Sequence, residues 1–490
     1  MCNATWTRAE HVLAAGEASA NAALAAAFEE IGNSRESLRL TAGKWRVAES
    51  LSVPENVHLR LSPAAVLHLE EGVTLNVSGS LSTERLEPIF AGKGRVRFAD
   101  AFAGEVYPQW WAAVTGEDDT PACQQALDSG ARKVRFRSGV YAIAAESGLV
   151  PRDHTQLVFD EGAVLRVIPN ALPHYAIIAL RDVQHVQISG ATIIGDRQHH
   201  TATGGEWGHG IEVASGAHHI QISDCTVSDC WGDGIYIGGH GVHAVRVFDS
   251  TFDRSRRNAC SITSARDVAF RRCTFSNTHG VSPGKGVDIE PNRSEDLVQE
   301  ILFEDCRSEG NLTGGVTLAY DGSLDEEATV SFIRCQSVKD GFGFGLDLGP
   351  SDTEGELILR DCKVVDPGED GFRTAGNLRT RIEGLLIRNP NQRGEPRGTF
   401  GHGVSLVIWP DRANSNKTVG NLTARNLTIL SDDGKLKSAV YFENRVGDQT
   451  AFEQIDISAS TNAVEAKHWH RGGGPFRGDV RVEVQQKVEQ

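Results

Sequence analysis

Short runs in which apolar and polar residues alternate fill the chain from residue 133 onward. They are punctuated by glycine, asparagine and aspartate. "VRFRSGVYAI" from Val134, "GKGVDIE" from Gly284 and "GHGVSLV" from Gly401 all have this form. A period of two predicts strands with apolar side chains on one face and polar ones on the other. "GHGIEVA", "GDGIYIG", "NACSITS", "TGGVTLA", "GFGLDLG", "EDGFRTA" and "KSAVYFE" continue the series. Each opens with a turn residue and has no helical period between it and the next.

Two stretches depart from the pattern. The alanine-rich N-terminus predicts a helix from about Thr7 to Ile31. "EDDTPACQQALDSG" predicts a second, short helix, with Thr120 as its cap and Pro121 at the first helical position.

The strands repeat, and the cysteines show it. "ISDCTV" (Cys225), "FRRCTF" (Cys273), "FEDCRS" (Cys306), "FIRCQS" (Cys335) and "LRDCKV" (Cys362) share one context. Gly190, Ser250 and Asn426 hold the same slot in "ISGATI", "VFDSTF" and "ARNLTI". Steps run from 23 residues (Ser250 to Cys273) to 35 (Gly190 to Cys225), the uneven period of a solenoid. Zinc ligands come at tighter local spacings, so the slot reads as a buried ladder of small side chains.

These quoted repeats resemble the right-handed parallel β-helix of pectate lyases, polygalacturonase-type hydrolases and phage tailspikes. The resemblance covers about Lys133 to Ser458, with a looser section from Ser37 to Asp100. It implies an all-β fold: a right-handed parallel β-helix solenoid with a short N-terminal helical segment and a capping helix. The expected organisation is a helical segment at 1–36, a short β section at 37–105, and a linker with capping helix at 106–132. The main β-helix follows at 133–470 and a tail at 471–490. "GHGI" at Gly208 is similar to the Gly-His-Gly of polygalacturonase-type enzymes. The rest of that family's catalytic order does not follow, so its catalytic set is not carried over.

Stacked coils turn the sequence into columns at ~4.8 Å spacing. The outward residue after the first inward apolar one reads Glu212, Tyr236, Ser261, Asp288, Thr317, Asp347, Arg373, Ser405 and Tyr441. Two residues further on, Glu290 stands among small residues. In the preceding turns stand His209, Asp233, Asn258 and Lys285. The middle coils therefore gather Asp233, Asp288, Glu290 and Asp347 as candidate catalytic carboxylates. Trp207, His209, Glu212, Trp231, Tyr236, Lys285, Arg256 and Arg257 are the candidate substrate-binding residues. Asp288 and Glu290 are ~6.7 Å apart along a strand, and Asp288 and Asp347 are ~9.6 Å apart by stacking. Both separations suit a glycoside hydrolase of the inverting type.

Composition narrows the partners. Net charge is -16 without a long basic run, which argues against sequence-independent nucleic-acid binding. No apolar stretch approaches the ~20 residues that span a bilayer. Aromatic rings, carboxylates and guanidinium groups together suit a polysaccharide or oligosaccharide. Three readings stay open: a hydrolase, a lyase acting on a uronic-acid glycan by β-elimination, and a non-catalytic glycan-binding or tailspike-like module, which would allow a homotrimer. No metal ligand set is expected from the histidine spacing and no cofactor is required, though turn carboxylates suit Ca2+. A secreted or periplasmic location is expected if a leader precedes this sequence.

Overall fold

The computed structural model describes residues 10–15, 19–100, 102–320, 322–348, 353–394, 400–409, 418–447, 450–463, 468–471 and 475–486. Contacts group the chain into two compact units. One holds the described residues up to Ile168, with Ile177–Ala179 and Val183–Ile193; the other holds Pro169–Ala176, Leu180–Asp182 and the described residues from Ile194.

In the first unit, helix α1 (Ala20–Ile31) buries Ala20, Leu24, Ala27 and Ile31 along one stripe. Ser19 Oγ accepts from Asn21 N at its start. The helix is shorter than the alanine-rich sequence predicts, because Glu10–Leu13 is a strand paired in parallel with Glu36–Leu40. Ladder pairing there outweighs helix propensity. Residues 7–9 and 16–18 of the expected helix lie outside the described residues. The section from Glu36 is itself built of coils: three small parallel sheets share the strands among them. Burial alternates strictly in Val57–Leu61 and Ala65–Leu69. Helix α2 (Thr120–Asp128) starts one residue earlier than predicted, with Asp119 in the cap position. Thr120 Oγ1 instead accepts from Ala144 N at 2.7 Å.

The second unit stacks one outward-facing strand per coil into a parallel sheet. Its members include β1 (Trp207–Ala214), β2 (Ile235–Gly238), β3 (Cys260–Ile262), β4 (Lys285–Ile289) and β5 (Gly314–Tyr320), followed by β6 (Phe344–Leu348), β7 (Phe372–Thr374), β8 (Val404–Ile408) and β9 (Val440–Asn444). The remaining strands of each coil form a second long parallel sheet, bent at the cysteine slot. Phe476–Gln486, expected as tail, is a strand paired with Ala451–Thr461.

The bend explains the cysteines. The residue before the slot adopts a left-handed backbone on coil after coil: Asp224, Asp249, Arg272, Asp305, Arg334 and Asp361 have φ between 48° and 56°. The following side chain then points into an inner corner, which takes a cysteine on five coils and Leu385 and Leu427 on later ones; Gly190 and Asn426, expected in the slot, are instead the left-handed residues before it. Cys225, Cys273, Cys306, Cys335 and Cys362 are all buried free thiols. Cys306 Sγ lies 3.4 Å from Glu304 O and 3.5 Å from Phe270 O on the preceding coil. Outside the corner, Arg272 grips Asp249 and Arg334 grips Asp305 through paired hydrogen bonds.

Candidate functional site

The observed register places Glu212, Tyr236, Ser261, Asp288 and Thr317 in one column, as expected. It departs at β6. Phe344, not Leu346, is opposite Val316, so Gly345 meets Thr317 and Asp347 meets Ala319. "GFGFGLDLG" offers two apolar starts, and Phe344 takes the inward place between Val316 and Phe372. Asp347 therefore leaves the Asp288 column. Continuing the β4–β5 register past Ile289 and Leu318 sets Glu290 opposite Ala319. Glu290 and Asp347 thus share a column with only an alanine between them, ~9.6 Å apart at their Cα atoms.

The acids of the middle coils are not a solvated edge. Asp233 is fully buried, and Asp288 is 1% exposed. Asp233 accepts from Asn258 N at 3.0 Å and from Arg257 Nη1 at 3.1 Å. Burial pushes its carboxyl up to about 6 against the pull of Arg257. Asn258 Nδ2 reaches Ser261 Oγ at 3.1 Å and Asp288 Oδ2 at 3.2 Å. Lys285 Nζ holds Asp288 Oδ1 at 2.9 Å. Arg257 Nη2 lies 3.6 Å from Glu290 Oε2. Asp233, Arg257, Asn258, Ser261, Lys285, Asp288 and Glu290 therefore form one connected network across three coils.

Within it Glu290 is the open member, with 42% of its side chain exposed. Burial of the rest and the adjacent Asp288 carboxylate, acting by charge and hydrogen bond, push Glu290 up to about 7. Asp288 is held by Lys285 and Asn258, which leaves Glu290 as the member of the pair that faces solvent.

Other expected residues take different places. Trp231 is 8% exposed, with His200 stacked on one face at 4.0 Å and Arg256 over the ring at 3.8 Å. It has no free face for a sugar. Arg256 also donates to Gly205 O, so it braces a turn and does not tune a carboxylate. His209 is buried and accepts from Asp233 N at 3.3 Å on Nδ1, which keeps it neutral. Burial holds it down to about 3. Its ring stacks on Tyr236 at 5.0 Å, whose hydroxyl meets Thr263 Oγ1 at 2.8 Å. Glu212 is buried and paired with Arg181. Trp207 is 49% exposed.

Two cavities flank the network. One, of about 460 Å³, is lined by Asp347, Asp370, Arg373, Phe400, Ser405 and Trp409 among others. Asp370, Phe400 and Trp409, none of them a site residue expected from the sequence, lie outside the strands. Buried Asp370 accepts from Gly401 N, His402 N and Ser405 Oγ, each at 2.8 Å. Arg373 lies over the Phe342 ring at 3.5 Å. The other cavity, of about 730 Å³, runs from Tyr236 and Thr263 to Glu295, Asp296, Asp325 and Glu326. Asp296 there accepts from the backbone of Asn292 and Arg293.

Residues 174–389 match the family model for the right handed beta helix region. The fold is a right-handed parallel β-helix. This β-helix is 29% identical over 314 residues to the SPbeta prophage-derived uncharacterized protein YorA of Bacillus subtilis, covering 58% of this chain and 49% of that protein. It is 28% identical over 225 residues to the uncharacterized protein YclG of Bacillus subtilis, covering 39% of this chain and 38% of that one. The chain thus spans about half, or less, of the length of these curated relatives. Among solved structures, the A-module of the Azotobacter vinelandii mannuronan C-5 epimerase AlgE6 is similar to the β-helix. It covers 79% of this chain and 100% of its own, at 13% identity and a TM-score of 0.47.

Proposed function

We propose that this β-helix hydrolyses a polysaccharide or oligosaccharide, with Glu290 as general acid and Asp347 as general base. The observation that carries the reading is their shared column. Two outward carboxylates stand two coils apart over a single alanine, near the upper end of the roughly 6.5–9.5 Å range that lets one acid protonate a leaving oxygen while the other activates a water. Glu290, pushed up to about 7, retains its proton in about half of the molecules at neutral pH, where an unperturbed glutamate is almost wholly ionised. Asp347 opens into the cavity walled by Trp409, Phe400 and Arg373, where rings suit sugar C–H faces and the guanidinium suits hydroxyls. Elimination is less well served. Lys285 is engaged as an ammonium by Asp288, and burial raises the Tyr236 hydroxyl further from ionisation. Neither is a ready base.

The test is product analysis on a panel of neutral and acidic polysaccharides. New reducing ends without near-ultraviolet absorbance support hydrolysis by the wild type, and loss of product in Glu290→Gln and Asp347→Asn ties it to this pair. An unsaturated product would make the protein a lyase. Unchanged turnover in both variants would move the site elsewhere.

A further inference from the structure

We infer that His218, His219 and His243 form a binding site for one divalent transition-metal ion of the zinc, copper or nickel class. The ligating atoms of the three imidazoles all lie within 4.8 Å of one another. A tetrahedral ion with bonds of about 2.0–2.1 Å holds its ligands roughly 3.3 Å apart, so small ring rotations suffice to close the set.

Fold geometry brings the three together. His218 and His243 are register partners on consecutive coils, and their rings stack at 4.7 Å. Adjacent residues on a strand ordinarily point to opposite faces. His219 has φ 55°, a left-handed backbone that breaks the alternation. Its Nδ1 consequently lies 2.9 Å from His218 Nδ1. Ala244, opposite His219 on the next coil by the same register, contributes only a methyl group and leaves room.

His243 supplies a second, independent observation. Its Nδ1 lies 2.9 Å from Gly241 O, to which it donates. That bond fixes the tautomer and leaves Nε2 with a lone pair, the support that metal-bound histidines receive from a backbone carbonyl. Three imidazoles with no carboxylate in the set select borderline transition ions over calcium or magnesium. His219 is exposed, so the remaining coordination positions open to water. The ion would tie two consecutive coils together at a corner, independently of the carboxylate face.

The test is titration of the full chain, stripped by chelator, with zinc chloride, read by calorimetry and by thermal unfolding. The expected result is one zinc per chain and a higher melting temperature, with calcium chloride producing no shift. His219→Ala and His243→Ala should each weaken zinc binding by at least ~10-fold and abolish the thermal shift, while melting like the wild type without metal. His240→Ala, outside the set, should bind as the wild type does. Absence of stoichiometric zinc would overturn the assignment. So would binding that survives both His219→Ala and His243→Ala.

Discussion

Lys285 Nζ stands 2.9 Å from Asp288 Oδ1, with almost all of both side chains out of solvent. A buried ion pair stabilises little by itself, but removing one partner strands the other charge. Lys285→Met should therefore cost about 3–5 kcal/mol, read as a lower denaturant midpoint. Asp288→Asn leaves a cation that can reach water along its flexible stem and should cost less.

Asp288 also sets the proton on Glu290. A raised carboxyl is a stronger stabiliser of the fold when protonated: the contribution is complete below the ordinary value of 4.5 and is lost as pH rises through about 7. Activity that needs the protonated acid falls as pH rises through about 7, the value of the folded state. In Asp288→Asn the charge that helps raise Glu290 is gone, so the alkaline limb of kcat/KM should move to lower pH. A limb that stays in place would remove Glu290 from the role of acid.

Glu290→Gln keeps the size of the side chain but cannot donate to a leaving group. Turnover should fall by about 10²–10⁴-fold, with the melting temperature unchanged or slightly raised because the repulsion between Glu290 and the Asp288 charge is removed. Asp347→Asn should reduce turnover to a similar degree. A double variant should lose little more than either single one, since the two groups act in one step.

Trp231 and Trp207 should part company. Trp231, covered on both faces, is a packing residue, and Trp231→Ala should cost about 3–5 kcal/mol. Trp207, half exposed, should lose little stability as Trp207→Ala. The check is thermal unfolding of the two variants side by side.

His209 makes the fold acid-sensitive. Its folded value is depressed to about 3, so the stability it lends is present above the ordinary value of 6.5 and is lost as pH falls from there towards about 3. His209→Gln cannot take the proton and should flatten the decline of melting temperature across that interval. An unchanged slope would mean the ring is not buried as described.

The coils were readable in the sequence because two signals recur along them: alternation of apolar and polar residues, and on most coils a small residue after a left-handed corner. The register at β6 was not, since Phe344 and Leu346 both satisfy an inward apolar place, and only packing between Val316 and Phe372 selects Phe344. The acids of β4 were readable as a cluster. Their burial was not, because it depends on Arg257 and Asn258 arriving from the neighbouring coil and on Lys285 folding back from the start of the same strand. Trp231 misled for a related reason: what covers its faces, His200 and Arg256, lies 31 residues before it and 25 after it in the chain. The histidine cluster has no local spacing to detect, since one member sits a whole coil away from the other two.

The alanine between Glu290 and Asp347 has one more consequence. Distances along a column of this solenoid exist only in whole rungs, so the gap between the two carboxylates is a ruler graduated at ~4.8 Å. Point substitutions can lengthen or shorten a side chain, but they cannot slide one rung half-way. Removing the single coil that carries Ala319 would bring the two acids to one graduation, close to the ~5–5.5 Å that a nucleophile requires. Coil number, and not loop chemistry, would then decide whether the sugar's anomeric centre is inverted or retained.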